Sequence, residues 1–270
     1  MKPFSEQNKF MRITILAFAV FLFLLISSFT LKSHFFSKGI SSDSLYKISD
    51  VSIFSIHDDW VEETLSKMTV EEKAGQLIFP AMSGRFYNEE DTIFQKILHL
   101  INDVKVGGFI VYQNEVYAQA ILLNKLQQLS KYPLLINADY ENGVSFRTKG
   151  GTIFPTNMAL GAANDEALTH QMGKIIAEES RAVGVHYNFA PVVDINNNPQ
   201  NPIINVRSFG EHWQTVTTLS DALFKGMQQN HLLATVKHFP GHGNTATDSH
   251  KNLPIITGSR EELFQLELKP

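Results

Sequence analysis

Leu134-Leu-Ile-Asn-Ala-Asp-Tyr-Glu-Asn-Gly143 is the stretch on which the fold turns. From Leu134 to Ala138 it is almost wholly apolar, which suits a strand covered on both faces, as parallel strands are. It then breaks into Asp139 and Glu141, two carboxylates just past the strand end. Working outward, Val106 to Tyr112 and Gln76 to Pro80 read as strands upstream. Val185 to Ala190 and Leu232 to Lys237 read as strands downstream. Between them lie helical patterns. Ile93, Phe94, Ile97, Leu98 and Ile101 share one face, as do Leu122, Leu126 and Leu129. Asn164 caps a helix with Asp165 and Glu166 in its first turn, carrying Leu168, Met172, Ile175 and Ile176 and stopping near Gly184. Val216 to Met227 is another helix. Thr69 with Glu72, and Ser259 with Glu262, are capping boxes. Strands alternating with helices predict an α/β fold with a parallel sheet.

Two architectures share that rhythm, a doubly wound open sheet and a (β/α)8 TIM-type barrel. The nucleotide-binding turns G-x-G-x-x-G and G-x-x-x-x-G-K-[ST] do not occur. Polar residues instead follow the strand ends: Asp139, Glu141, Asp194, Lys237 and His238. Barrel enzymes place their chemistry at that face, so the barrel is favoured, truncated after about five or six strands. The edge strands of an unclosed barrel are expected to promote aggregation.

The whole chain has 270 residues, 23 Lys+Arg against 27 Asp+Glu, and 43% hydrophobic residues. It is a globular composition with no basic footprint for nucleic acid. With no cysteine, disulfide scaffolds, thiol nucleophiles and Cys-based metal sites are excluded. Residues 13–31, ITILAFAVFLFLLISSFTL, carry no charge, and Lys2, Lys9 and Arg12 precede them. Such a run is long enough to span a bilayer, with its basic end held in the cytoplasm. A cleaved signal segment is the alternative. Residues 1–31 are thus expected to be an anchor or signal, 32–56 a tether, and 57–270 the barrel. The barrel would then sit outside the cytoplasm, anchored to the inner membrane or, after cleavage, secreted or periplasmic.

Chemistry concentrates in VKHFPGHGNTATDSH, Val236 to His250. A strand ends in Lys237-His238, Pro240-Gly241 forces a turn, and His242, Asp248 and His250 follow. Asp248 beside His250 suits a group that donates a proton and later takes one back. Lys237 and His238 are placed to hold the hydroxyls of a polyol or sugar. His238, His242, Asp248 and His250 also allow a transition-metal site, against which the charge of Lys237 argues.

KHFPGHG followed by TxxDSH resembles the signature of glycoside hydrolase family 3, in the branch of bacterial β-N-acetylhexosaminidases. Three further stretches resemble the family in its order: Met68 to Leu77, Ala138 to Arg147, and Asn201 to Gly210. The likeness runs from about Trp60 to the C-terminus. It implies a barrel that hydrolyses terminal β-linked N-acetylhexosamine by a retaining mechanism, on an amino-sugar glycan, with no metal or organic cofactor. It implies His250 as general acid/base, Asp248 as its partner, and Asp139, Arg147, Arg207, Lys237 and His238 around the sugar ring. Where the family has Glu-Gly-Gly this chain has Glu141-Asn142-Gly143, and Asn tolerates left-handed backbone angles. The family's nucleophile is an Asp in a Ser-Asp-Asp-like segment, and none follows Leu253-Pro-Ile-Ile256. Asp194 ends NFAPVVD, which resembles the family's structural fourth strand. A β-glucosidase and an inactive, membrane-tethered sugar-binding remnant are the alternatives.

Overall fold

A computed structural model describes residues 58–256 and 258–270. The chain divides into two compact units, the second beginning at Met68. Of the first unit, residues 58–67 are described, essentially one helix, α1 (Asp59–Lys67), with no buried residue. Its first turn is capped by Asp58, whose Oδ1 accepts from the N–H groups of Trp60 and Val61. The apolar run 13–31 and the tether 32–56 lie outside the described residues. Among the described residues, no helix is long and apolar enough to cross a membrane.

The second unit opens with α2 (Val70–Gly75), where Thr69 and Glu72 form the expected reciprocal cap. Then follow β1 (Ala81–Ser83), α3 (Thr92–His99), a π-helical turn (Leu100–Val104), β2 (Gly108–Tyr112), β3 (Asn114–Glu115) and α4 (Val116–Leu129). The chain continues through β4 (Leu135–Ala138), β5 (Thr148–Lys149), α5 (Asn157–Ala163), α6 (Glu166–Ala182) and β6 (Tyr187–Asn188). It ends with α7 (Trp213–Gln228), β7 (Leu233–Ala234) and α8 (Arg260–Gln265), the last on the second capping box.

Five strands form one sheet in the order β1-β2-β4-β6-β7, every neighbouring pair parallel. All the strand ends that carry polar residues therefore point the same way. The sheet is buried as its apolar sequence demands: Phe109 and Val111 on β2 and Ile136 on β4 are fully covered. Helices α6 and α7 pack closely through Gly173 and Gly226, where an added Cβ on Gly226 would overlap the carbonyl oxygen of His170.

A second, two-stranded parallel sheet joins β3 to β5 and ties the loop after β4 to the end of β2. Behind it, the buried Gln119 gathers Asn114, Thr148 and Tyr140 into one hydrogen-bonded group and donates to the carbonyl of Val183. Each polar group thereby finds a partner, which a buried network needs if it is to stabilise a loop.

Several expectations are corrected. The first strand is Ala81–Ser83, not Gln76 to Pro80. Gln76 instead caps α2, and Leu77 is exposed. Asn164 ends α5 in a left-handed conformation, and it is Asp165 that caps α6 by accepting from the N–H of Leu168. Helix α6 ends at Ala182 and buries Thr169, Met172, Gly173 and Ile176, while Leu168 faces solvent. Strands β6 and β7 keep only two residues each of the longer runs expected. Beyond them a lone parallel bridge joins Val192 to Lys237.

Candidate active site

The site grows from the ends of β4, β6 and β7. Asp139 and Glu141 stand one and three residues past β4. Lys237 is held beyond β7 by the bridge to Val192, its carbonyl accepting from the N–H of Val193 at 2.7 Å. The Lys237 ammonium reaches both carboxylates, at 2.8 Å from Asp139 Oδ1 and 2.8 Å from Glu141 Oε1.

Arg207 arrives on the loop between β6 and α7. Asn201 shapes that loop: its side-chain oxygen accepts from the N–H groups of Ile203 and Ile204, and its amide donates to the carbonyls of His242 and Gly243. Asn157 then holds the carbonyl of Arg207. So fixed, the guanidinium grips Glu141 in a fork, Nε at 2.9 Å and Nη2 at 2.8 Å. Glu141 is therefore the hub of the cluster, with Arg207 on one side and Lys237 on the other. Its side chain is only 6% exposed. Burial alone would raise its carboxyl, but the Arg207 bonds and the two positive charges win and hold it at about 2. Burial likewise opposes the charge on Arg207, and the Glu141 bonds reverse the sign and raise its pKa.

Glu141 so held stabilises the fold above its unfolded value of 4.5, and that contribution is lost as the pH falls through about 2. The shift corresponds to about 3 kcal/mol. In chemical denaturation, the stability gap between the native chain and Glu141→Gln should therefore be widest near neutrality and shrink by about 3 kcal/mol on acidification to about pH 2. A gap independent of pH would contradict the ion cluster.

His238 is fastened from below. Its Nδ1 lies 2.5 Å from Oδ2 of Asp194, whose side chain is wholly buried, and its Nε2 lies 3.3 Å from Nη2 of Arg207. Arg147 is brought in by the β3–β5 ladder. Its guanidinium stacks over Phe146 and Tyr112, 4.6 and 5.5 Å from the ring centroids. Burial, then the Asp139 charge, raises the Tyr112 phenol. These groups line a cleft of about 790 Å³, with Phe189 and Ile203 as apolar wall and His250 at its rim.

His250 is 75% exposed, on a turn after Asp248, and its Nδ1 is 2.9 Å from Asp248 Oδ1. The same carboxylate accepts from the backbone N–H of His250, and that bond followed by the imidazole contact lowers the Asp248 pKa. His242, by contrast, is buried against Thr245, at 2.5 Å. Among the described residues, no group of three or more His, Asp or Glu side chains is arranged to hold a metal ion.

The seven residues singled out in the sequence thus fall at one cleft: Asp139, Arg147, Arg207, Lys237, His238 and His250 line it, and Asp248 stands behind His250. Two that matter were not assigned roles there. Glu141 was visible as a strand-end carboxylate, but its partners lie 66 and 96 positions away in sequence. Asp194 showed a strand-end position and nothing of its contact with His238. In the Glu141-Asn142-Gly143 turn the positive φ falls on Gly143, at 117°, and Asn142 makes no such demand. Its amide donates to the carbonyl of Phe154, so the departure from Gly costs the turn nothing visible. Chemically, the cleft gathers carboxylates, cations and aromatic rings around one space, with a paired imidazole at the edge.

Residues 69–270 match the glycosyl hydrolase family 3 N terminal domain. Over 192 residues the chain is 37% identical to beta-hexosaminidase A of Pseudoalteromonas piscicida, covering 66% of this chain and 32% of that protein. Over 212 residues it is 34% identical to a beta-N-acetylglucosaminidase/beta-glucosidase of Cellulomonas fimi, covering 77% and 36%. Among solved structures, a glycoside hydrolase family 3 beta-N-acetylglucosaminidase from Paenibacillus sp. str. FPU-7 is similar with a TM-score of 0.68. It shares 40% identity over 75% of this chain and 39% of its own. The chain spans about a third of the length of the first two relatives.

Proposed function

Because the chain belongs to glycosyl hydrolase family 3, we propose that its strand-end cleft binds the terminal β-linked N-acetylhexosamine of a glycan and takes part in its hydrolysis. The observation that carries this is the meeting of Asp139, Glu141, Arg207 and Lys237, from three separated segments, in one cleft. Residues 57–270 are read as part of a (β/α)8 barrel, to which the five parallel strands belong. Asp139 and Lys237 would hold sugar hydroxyls, with Arg147, Arg207 and His238 around the ring. The sequence likeness to hexosaminidases supports the amino sugar.

His250 would protonate the leaving oxygen, oriented by Asp248, and later act as base toward water. A retaining reaction needs a carboxylate opposite, and the 270 residues contain no Ser-Asp-Asp segment to supply it. The charge-free run 13–31 supports placing the domain outside the cytoplasm, as an inner-membrane anchor or, if cleaved, a secretory signal.

Calorimetric titration of the 270-residue chain tests the reading. N-acetylglucosamine should bind with a millimolar Kd and glucose markedly more weakly, and a chromogenic N-acetylglucosaminide should not be turned over. Equal binding of both sugars would favour a β-glucosidase, as the name of the Cellulomonas fimi relative suggests. Hydrolysis by this chain alone would overturn the missing-nucleophile argument.

A further inference from the structure

We propose that Asp194 is a positioning residue which fixes His238 as the neutral Nδ1–H tautomer, leaving Nε2 as a bare acceptor for Arg207. The carboxylate is wholly buried, and its two oxygens have different tasks. Oδ1 accepts from the backbone N–H of His242 at 2.6 Å, and from that of His238 at 3.4 Å. Oδ2 faces the His238 ring at 2.5 Å. A carboxylate only accepts, so the proton between Oδ2 and the ring belongs to Nδ1.

The opposite edge of the ring agrees. Nε2 lies 3.3 Å from Nη2 of Arg207, a group that can only donate. A proton on Nε2 would face a guanidinium N–H, donor against donor and, in the imidazolium, cation against cation. The neutral ring with a lone pair on Nε2 satisfies both neighbours.

The consequence reaches Arg207. Its Nε and Nη2 donate to Glu141, Nη1 donates to the carbonyl of Ile203, and Nη2 also donates to His238. Of five N–H groups, one on Nη1 is then left for a ligand. Asp194, without touching the cleft, thereby sets how both groups present themselves. Nε2 has a single lone pair, which Arg207 takes, so His238 offers a ligand neither a donor nor a free acceptor at that nitrogen. It acts on the ligand through the N–H left on Arg207 Nη1. Only the identity of that ligand rests on the sugar-binding proposal; the tautomer is read without any ligand.

Asp194→Asn makes a sharp test. The His242 N–H is an obligatory donor, so the Asn carbonyl must take the place of Oδ1 and the amide NH2 that of Oδ2. The donor now facing Nδ1 drives the proton to Nε2, and Arg207 loses its acceptor.

The measurement is a long-range ¹H–¹⁵N correlation on the ¹⁵N-labelled 270-residue chain, with His238 identified by its loss in His238→Gln. The native ring should show the Nδ1–H pattern near neutral pH, and Asp194→Asn the Nε2–H pattern. N-acetylglucosamine affinity should fall about tenfold in the variant. An Nε2–H or imidazolium pattern in the native chain overturns the proposal, even if the variant does not fold. So does an unchanged tautomer in a folded variant. If no sugar binds but the tautomers behave as stated, the sugar reading fails and the positioning role of Asp194 stands.

Discussion

Replacing Arg207 by methionine is expected to abolish N-acetylglucosamine binding and to destabilise the fold by about 3–5 kcal/mol, the usual cost of removing one partner from a buried ion pair. The size of the effect comes from what is left behind. Glu141 stays buried, 6% exposed, keeps only Lys237, and loses both bonds of the Arg207 fork. Lysine at 207 would restore charge but not the fork, since an ammonium cannot grip two oxygens and a histidine nitrogen in one plane. Chemical denaturation and calorimetry of both variants check this. A destabilisation well under 1 kcal/mol would mean the pair behaves as a solvated surface bridge.

The second large effect is chemical. In a version extended to include a nucleophile, His250→Ala should lower kcat by about a hundred- to ten-thousand-fold, the range of general acid–base catalysis. KM should change little, because the ring is exposed at the rim while Asp139 and Lys237 lie deeper. The loss should be smaller with nitrophenyl leaving groups, which depart without help from an acid, than with alkyl or sugar leaving groups. Steady-state kinetics on the two substrate types measures it. A kcat unchanged by the substitution on both substrates would remove His250 from the mechanism.

Strand β4 could be read from sequence because covering both faces leaves a run that is apolar but for Asn137, and charged residues begin at Asp139. The first strand could not. Gln76 to Pro80 is as apolar as Ala81 to Ser83, and the choice is made by pairing with Ile110 to Tyr112, a contact between distant segments. At the start of α6, Asn164 and Asp165 are both good caps. The unforeseen helix α5 claims Asn164 for its own end, which leaves the second position to cap α6.

The site shows the same division. Short motifs announced Asp139, Lys237, His238 and the Asp248–His250 pair. The hub at Glu141 and the support from Asp194 emerge only when three loops meet, since each takes its partners from segments at least 44 residues away. Local pattern reveals which residues carry chemistry, and the parallel sheet decides which of them touch.

Everything functional depends on a pyranose ring occupying the cleft between Asp139, Arg207 and Lys237. Soaking crystals of the 270-residue chain with N-acetylglucosamine tests that most directly. The expected result is one ring with hydroxyls within hydrogen-bond distance of the Asp139 carboxylate and the Lys237 ammonium, and its anomeric carbon turned toward the His250 rim. A sugar bound elsewhere, with this cleft empty at saturating concentration, would contradict it.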